Sequence, residues 1–198
     1  MSDDAARALA RNDRFLELIE ELTICPFARA TRTSGKLARE VIDDLGAAAI
    51  AACTRTFDAG DAQIVLLIAP GWRGDARAFE RLVDDVRRAY EADGAPAFAM
   101  APFHPDTPFA TDAPSRLVGL FRRAPDPTLQ LVRHSALQAA RRHAPDGKFF
   151  FDGTAASWEK LAARPERGLS EQIGHDNFTR LRDRADELAA RLAALRAS

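Results

Sequence analysis

"QIVLLIAP", residues 63–70, is an unbroken apolar run closed by Pro70 and Gly71. A run without polar alternation reads as a strand buried on both faces, which requires helices on either side of a sheet. Asp75 then stands where it can cap a helix in which Phe79, Leu82, Val83, Val86 and Tyr90 keep helical spacing. Gly94 and Pro96 stop that helix, and "AFAMAPF", residues 97–103, reads as a second strand. Strand, helix, strand over this length is a βαβ unit, whose usual crossover gives parallel neighbours. The expected fold is therefore α/β, with a small, mostly parallel sheet covered by helices.

Upstream, Phe15, Leu18, Ile19 and Leu22 recur at i, i+3, i+4 and i+7, the stripe of an amphipathic helix. "TICP", residues 23–26, interrupts it, and Pro26 suits the first position of a short second helix with Cys25 just before it. "KLAREVI" is short and fits either a strand or a helix start; "DDLGAAAIAACTRTF" reads as a helix weakened by Gly46. Downstream, "HPDTPFATDAP" is a proline-rich loop. Two helical pieces separated by Pro125 and Pro127 follow, then "GKFFFDGT" as an edge strand. Leu181, Ala185, Leu188, Leu192 and Leu195 form a last helical stripe, suited to pack on the body or on a second copy as a homodimer. No repeat or low-complexity linker divides the chain, so 1–198 reads as one domain with a helical C-terminal extension from about 147 to 198.

The balance of 28 basic against 29 acidic residues speaks against a nucleic-acid binder, which needs phosphate-neutralising excess charge. No run reaches the ~20 apolar residues of a membrane span, and the acidic, Ala-rich N-terminus is no signal peptide. Two cysteines, Cys25 and Cys53, suit a reducing compartment, so a cytoplasmic location is expected.

Three stretches carry chemistry. Cys25 precedes a helix start, where unpaired N–H groups and the helix dipole stabilise a thiolate and lower its pKa. Equally, it lies three residues from Leu22 and fits the apolar stripe as a small buried residue. Cys53, among alanines, reads as structural. His104 in "FHPDTPF" follows a strand, and ligands in open α/β sheets bind outside the carboxyl ends of strands. It is a candidate acid–base group with Asp106 nearby, or a loop histidine tied to backbone between prolines. In "FRRAPDPTLQLVR", Arg123 and Arg133 flank a stiff turn and can offer guanidinium forks to a carboxylate or phosphate, with Asp126 orienting one of them. Trp72, after the first strand, is placed to wall a pocket or to pack. His134, His143 and His175 have no metal-ligand spacing. A metal site would have to combine Cys25, His104 and Asp106 from distant segments.

With "CPFA" at 25–28, "FHPDTPF" at 103–109 and "RAPDPTLQLVR" at 123–133, the chain resembles a bacterial family catalogued as domain of unknown function 1415 over roughly residues 12–142. The third block usually opens Asn-Arg-Ser-Pro in that family; here it is Arg122-Arg123-Ala124-Pro125. The resemblance implies no activity or cofactor, but it groups Cys25, His104, Arg123, Pro125, Asp126 and Arg133. "CPFA" also looks like the thiol motif of omega-type glutathione transferases, although the arrangement of a thioredoxin fold does not follow it.

Three readings result. In the first, the chain is an enzyme for a small anionic substrate, with Cys25 as nucleophile or ligand, His104 as acid–base and the arginines as anion clamp. In the second, it is a binding or accessory protein in which the arginines and Trp72 grip a ligand or partner without turnover. In the third, Cys25 and His104 hold a metal.

Overall fold

The computed structural model describes residues 2–143 and 169–197. The elements run α1 (Asp3–Glu21), α2 (Ala28–Thr33), β1 (Leu37–Val41), α3 (Ala47–Arg55), β2 (Ile64–Ile68), α4 (Ala76–Glu91), β3 (Phe98–Phe103), α5 (Pro114–Phe121), β4 (Thr128–Arg133) and α6 (His134–His143). Then follow α7 (Leu169–Leu181), a 3-10 turn at Arg182–Arg184, α8 (Ala185–Ala194) and a last 3-10 turn at Leu195–Ala197. The edge strand expected at "GKFFFDGT" lies outside the described residues.

The α/β expectation holds, but "mostly parallel" does not. The sheet has four strands in the order β1-β2-β4-β3. β1 and β2 are parallel, with Leu37 opposite Ile64 and Val41 opposite Ile68. β4 runs antiparallel to both β2 and β3, pairing Thr128 with Ile68 on one side and with Phe103 on the other. The unit β2-α4-β3 therefore has its two strands pointing the same way, as expected, but they are not neighbours. "TLQLVR" fills the space between them. From the sequence that segment is expected to belong to a helix. It is instead a strand whose Leu129 and Leu131 turn to one face while Thr128 and Gln130 turn to the other.

Each face of the sheet has its own helices. Val65, Leu67, Leu129 and Leu131 meet Ile50 of α3 and Phe79, Val83 and Val86 of α4. Leu66 and Ile68 face Ala8 of α1. Phe15, Leu18 and Ile19 of α1 continue into a third cluster with Leu117 and Leu120 of α5, Leu181 of α7, and Leu188 and Leu192 of α8. The C-terminal leucine stripe is thus buried against the body of its own chain. Asp75 caps α4 as expected, its Oδ1 accepting from the Ala78 N–H at 2.7 Å.

α1 ends in a tight C-cap. The Ile24 N–H donates to the Ile19 carbonyl at 3.0 Å and the Thr23 N–H to that of Glu20 at 3.1 Å. This pattern requires a left-handed residue, usually glycine. Here it is Thr23, at φ 49°. Asn177 and Arg180 of α7 finish the cap by donating to the carbonyls of Ile24 and Leu22.

Among the described residues, no helix is long and apolar enough to cross a membrane.

Candidate functional site

β1, β2 and β3 all point their carboxyl ends to one edge of the sheet, and β4 starts there. The segments after β2, after β3 and before β4 therefore converge. Between them lies a polar hollow of about 470 Å³, lined by Arg11, Trp72, Arg73, His104, Asp106, Asp126 and Arg196 together with Gly74 and four prolines. Of the residues singled out in the sequence, Trp72, His104, Asp106 and Asp126 meet here. Arg11 and Arg196 join them from the two ends of the chain, with no local signal to announce it.

The floor is held by a network that explains the "FHPDTPF" and "RAPDP" stretches. The His104 N–H donates to the Arg122 carbonyl at 2.9 Å. Thr107 returns its hydroxyl to the His104 carbonyl at 2.8 Å. Arg123 donates from Nε to the Thr107 carbonyl at 2.8 Å and stacks over the Phe109 ring at 4.7 Å. Close approach completes the clamp: a Cβ at Gly119 of α5 would lie 2.0 Å from the Pro108 carbonyl oxygen, so only glycine lets the loop touch the helix. Arg123 thus holds the loop; it does not line the main hollow.

His104 is 5% exposed. Its Nδ1 accepts from the Asp106 N–H at 3.2 Å, which leaves the proton on Nε2, 3.2 Å from the Gly74 carbonyl. Burial pushes its pKa below the usual histidine value, although the Gly74 carbonyl and the Asp106 charge act the other way. The ring is neutral near pH 7, with both nitrogens engaged by backbone. Beside it, the indole of Trp72 lies over Gly74, where a Cβ would meet the ring at 2.7 Å. Its Nε1 is buried and has no hydrogen-bond partner among the described residues.

Asp126 accepts two bonds from Arg11, from Nε and from Nη2, each 2.8 Å. This bidentate pair keeps the Arg11 guanidinium pKa above its ordinary value. Arg196 donates from Nη1 to Asp106 at 3.0 Å. Arg73 makes one long contact, 3.4 Å, to the Pro70 carbonyl.

Besides Arg123, two expected site residues lie elsewhere. Arg133 ends β4 at the opposite edge of the sheet, about 17 Å from Thr128 at a rise of ~3.4 Å per residue. Its fork donates to the carbonyls of Ala62, Asp58 and Phe57 at 2.7, 3.1 and 2.7 Å, and its plane covers the Phe98 ring. Cys25 lines a different hollow, about 270 Å³ and largely apolar, between α1, the sheet, α5 and α7. The two hollows have no lining residue in common. The helix starts at Ala28, with Phe27 as its N-cap, and not at Pro26 as expected; the thiol still faces the N–H groups of Phe27 and Ala28, but burial outweighs them and pushes its pKa up. Burial also raises Cys53, to about 11, with Glu40 adding to the effect.

The donors for a metal are not gathered either. Among the described residues, no group of three His, Cys, Asp or Glu side chains is placed to hold an ion.

No curated protein and no solved structure matches the chain. The family described as "Protein of unknown function (DUF1415)" matches residues 12–163, a span that includes α1 from Asn12, the whole sheet and both motif loops around the hollow. With that match covering most of its length, the chain belongs to the DUF1415 family.

Proposed function

We propose that the protein binds a small anionic molecule in the polar hollow at the carboxyl ends of β2 and β3. The observation that carries this reading is the convergence of Arg11, Arg73 and Arg196 on one hollow whose floor is fixed by His104 and by the pre-β4 loop. Arg11 is held in a largely buried bidentate pair with Asp126, whereas Arg196 makes a single exposed contact to Asp106, so Arg73 and Arg196 are the guanidinium groups with capacity for a ligand. Four prolines stiffen the rim and supply no N–H donors, so recognition of an anion falls to the arginines. Trp72 adds a flat apolar wall.

Thiol chemistry has less behind it. A nucleophile needs a lowered pKa and a base in reach. Cys25 has a raised pKa and lies in another hollow, while both nitrogens of His104 are already engaged.

Calorimetric titration with inorganic phosphate and with acetate tests the proposal. Saturable binding of either probe, weakened about tenfold or more in Arg73→Ala as expected for a charged hydrogen bond, supports it. Unchanged affinity in Arg73→Ala, or no binding of either probe, overturns it.

A further inference from the structure

We infer that Asp106 is a resident competitor for the ligand: its carboxylate occupies Arg196, and an incoming oxyanion takes its place. This rests on reading the hollow as an anion site and concerns how that site is tuned.

The hollow holds two carboxylates, and their pairings differ in kind. Asp126 makes two parallel bonds to Arg11, and the side chains are 12% and 17% exposed. A desolvated bidentate pair of that sort does not open for a ligand. Asp106 makes one 3.0 Å bond to Arg196, and those side chains are 64% and 50% exposed. An exposed single contact contributes little, so an anion can displace it.

Both partners are mounted on fixed supports, so displacement is a side-chain event. Asp106 sits in the turn whose N–H groups return to His104. Arg196 belongs to the last 3-10 turn, directly after α8, whose Leu192 is buried in the core. With Arg11 and Asp126 cancelling, Arg73 and Arg196 against Asp106 leave the hollow one positive charge in excess. An oxyanion, whether phosphate or carboxylate, that reaches Arg196 must first outcompete Asp106. The carboxylate therefore weakens binding while keeping Arg196 in position.

The test is titration of inorganic phosphate, with acetate as a second arm, into the full chain and its Asp106→Asn, Arg196→Ala and doubly substituted variants. Asp106→Asn should tighten the probe that binds by about three- to fivefold, the release of one exposed ion pair. Arg196→Ala should weaken it, and Asp106→Asn should then change affinity by less than about twofold, because the competition no longer has an object. Unchanged or weaker binding in Asp106→Asn, or an undiminished gain without Arg196, overturns the inference. If Arg73→Ala abolishes binding while Asp106→Asn does nothing, the anion site stands and the competitor falls. If neither probe binds the unsubstituted chain, both fall.

Discussion

Arg11 and Asp126 stand 115 positions apart in the chain and meet through two parallel 2.8 Å hydrogen bonds. The pair ties the middle of α1 to the loop that launches the central strand. Removing one partner leaves the other charge half-desolvated, which costs more than the pair itself is worth. Asp126→Ala should lower unfolding stability by about 2 kcal/mol, less than a fully buried pair because some water reaches this one. An Arg11→Met, Asp126→Leu double variant should regain most of that loss. Urea unfolding of the three variants checks it, and a double variant no better than the single would refute the account.

Thr23 holds a φ of 49°, where a β-branched residue is strained. The C-cap of α1 demands that conformation, and glycine adopts it freely. Thr23→Gly should therefore raise stability by about 1 kcal/mol. The urea midpoint should move up at unchanged slope; a lower midpoint would mean that Thr23 makes a contact worth more than its strain.

Acidification should destabilise the fold in two stages. His104 is buried neutral, so its folded pKa lies below the ordinary 6.5. The unfolded chain then takes up the proton first, and stability falls as pH drops through the range just below 6.5. Glu20 has its carboxyl held below the ordinary 4.5 by bonds of 2.6 and 2.7 Å from Arg32. Its contribution is complete above 4.5 and is lost as pH falls toward its folded value. Melting temperature against pH should show both steps. Glu20→Gln should flatten the lower one and His104→Gln the upper, and a profile unaltered in either variant counts against that assignment.

Both thiols should be slow. Cys53 titrates near 11 and Cys25 above its ordinary value. Since the thiolate is the reacting species, Ellman's reagent at pH 8 should modify the native chain at least about tenfold more slowly than the chain in urea. A fast phase of one equivalent in the native protein, lost in Cys25→Ala, would restore Cys25 as a reactive group.

How much of this was legible in the sequence depended on the range of the signal. β2, the cap at Asp75, α4 and β3 follow from local pattern, since an apolar run and a helical stripe each declare themselves within a dozen residues. Trp72 and His104 sharing an edge followed from the common direction of β2 and β3. β4 was hidden because "TLQLVR" runs straight into α6, and the helical spacing of the later residues masked the alternation of Leu129, Gln130 and Leu131. The Arg133 fork could not be read because its acceptors are backbone carbonyls, which no residue type identifies. Arg11 and Arg196 were invisible for a simpler reason. Their partners are remote in the chain, and nothing in a helix surface or a terminal turn marks an arginine as a lining residue. At Cys25 the helix-start geometry was foreseeable, but the burial that reverses its effect on the thiol was not.

The order β1-β2-β4-β3 places the strand made last at the interior of the sheet. During synthesis, β2 and β3 leave the ribosome facing a gap, with unmet N–H and C=O groups along both of its sides. Nothing joins them until residues 128–133 emerge to zip the two halves together. Translation paused before Thr128 should leave a nascent chain that is sticky and readily digested. Emergence of residues 128–133 should close the sheet, while the α1–α5 face stays uncovered until Leu181, Leu188 and Leu192 follow.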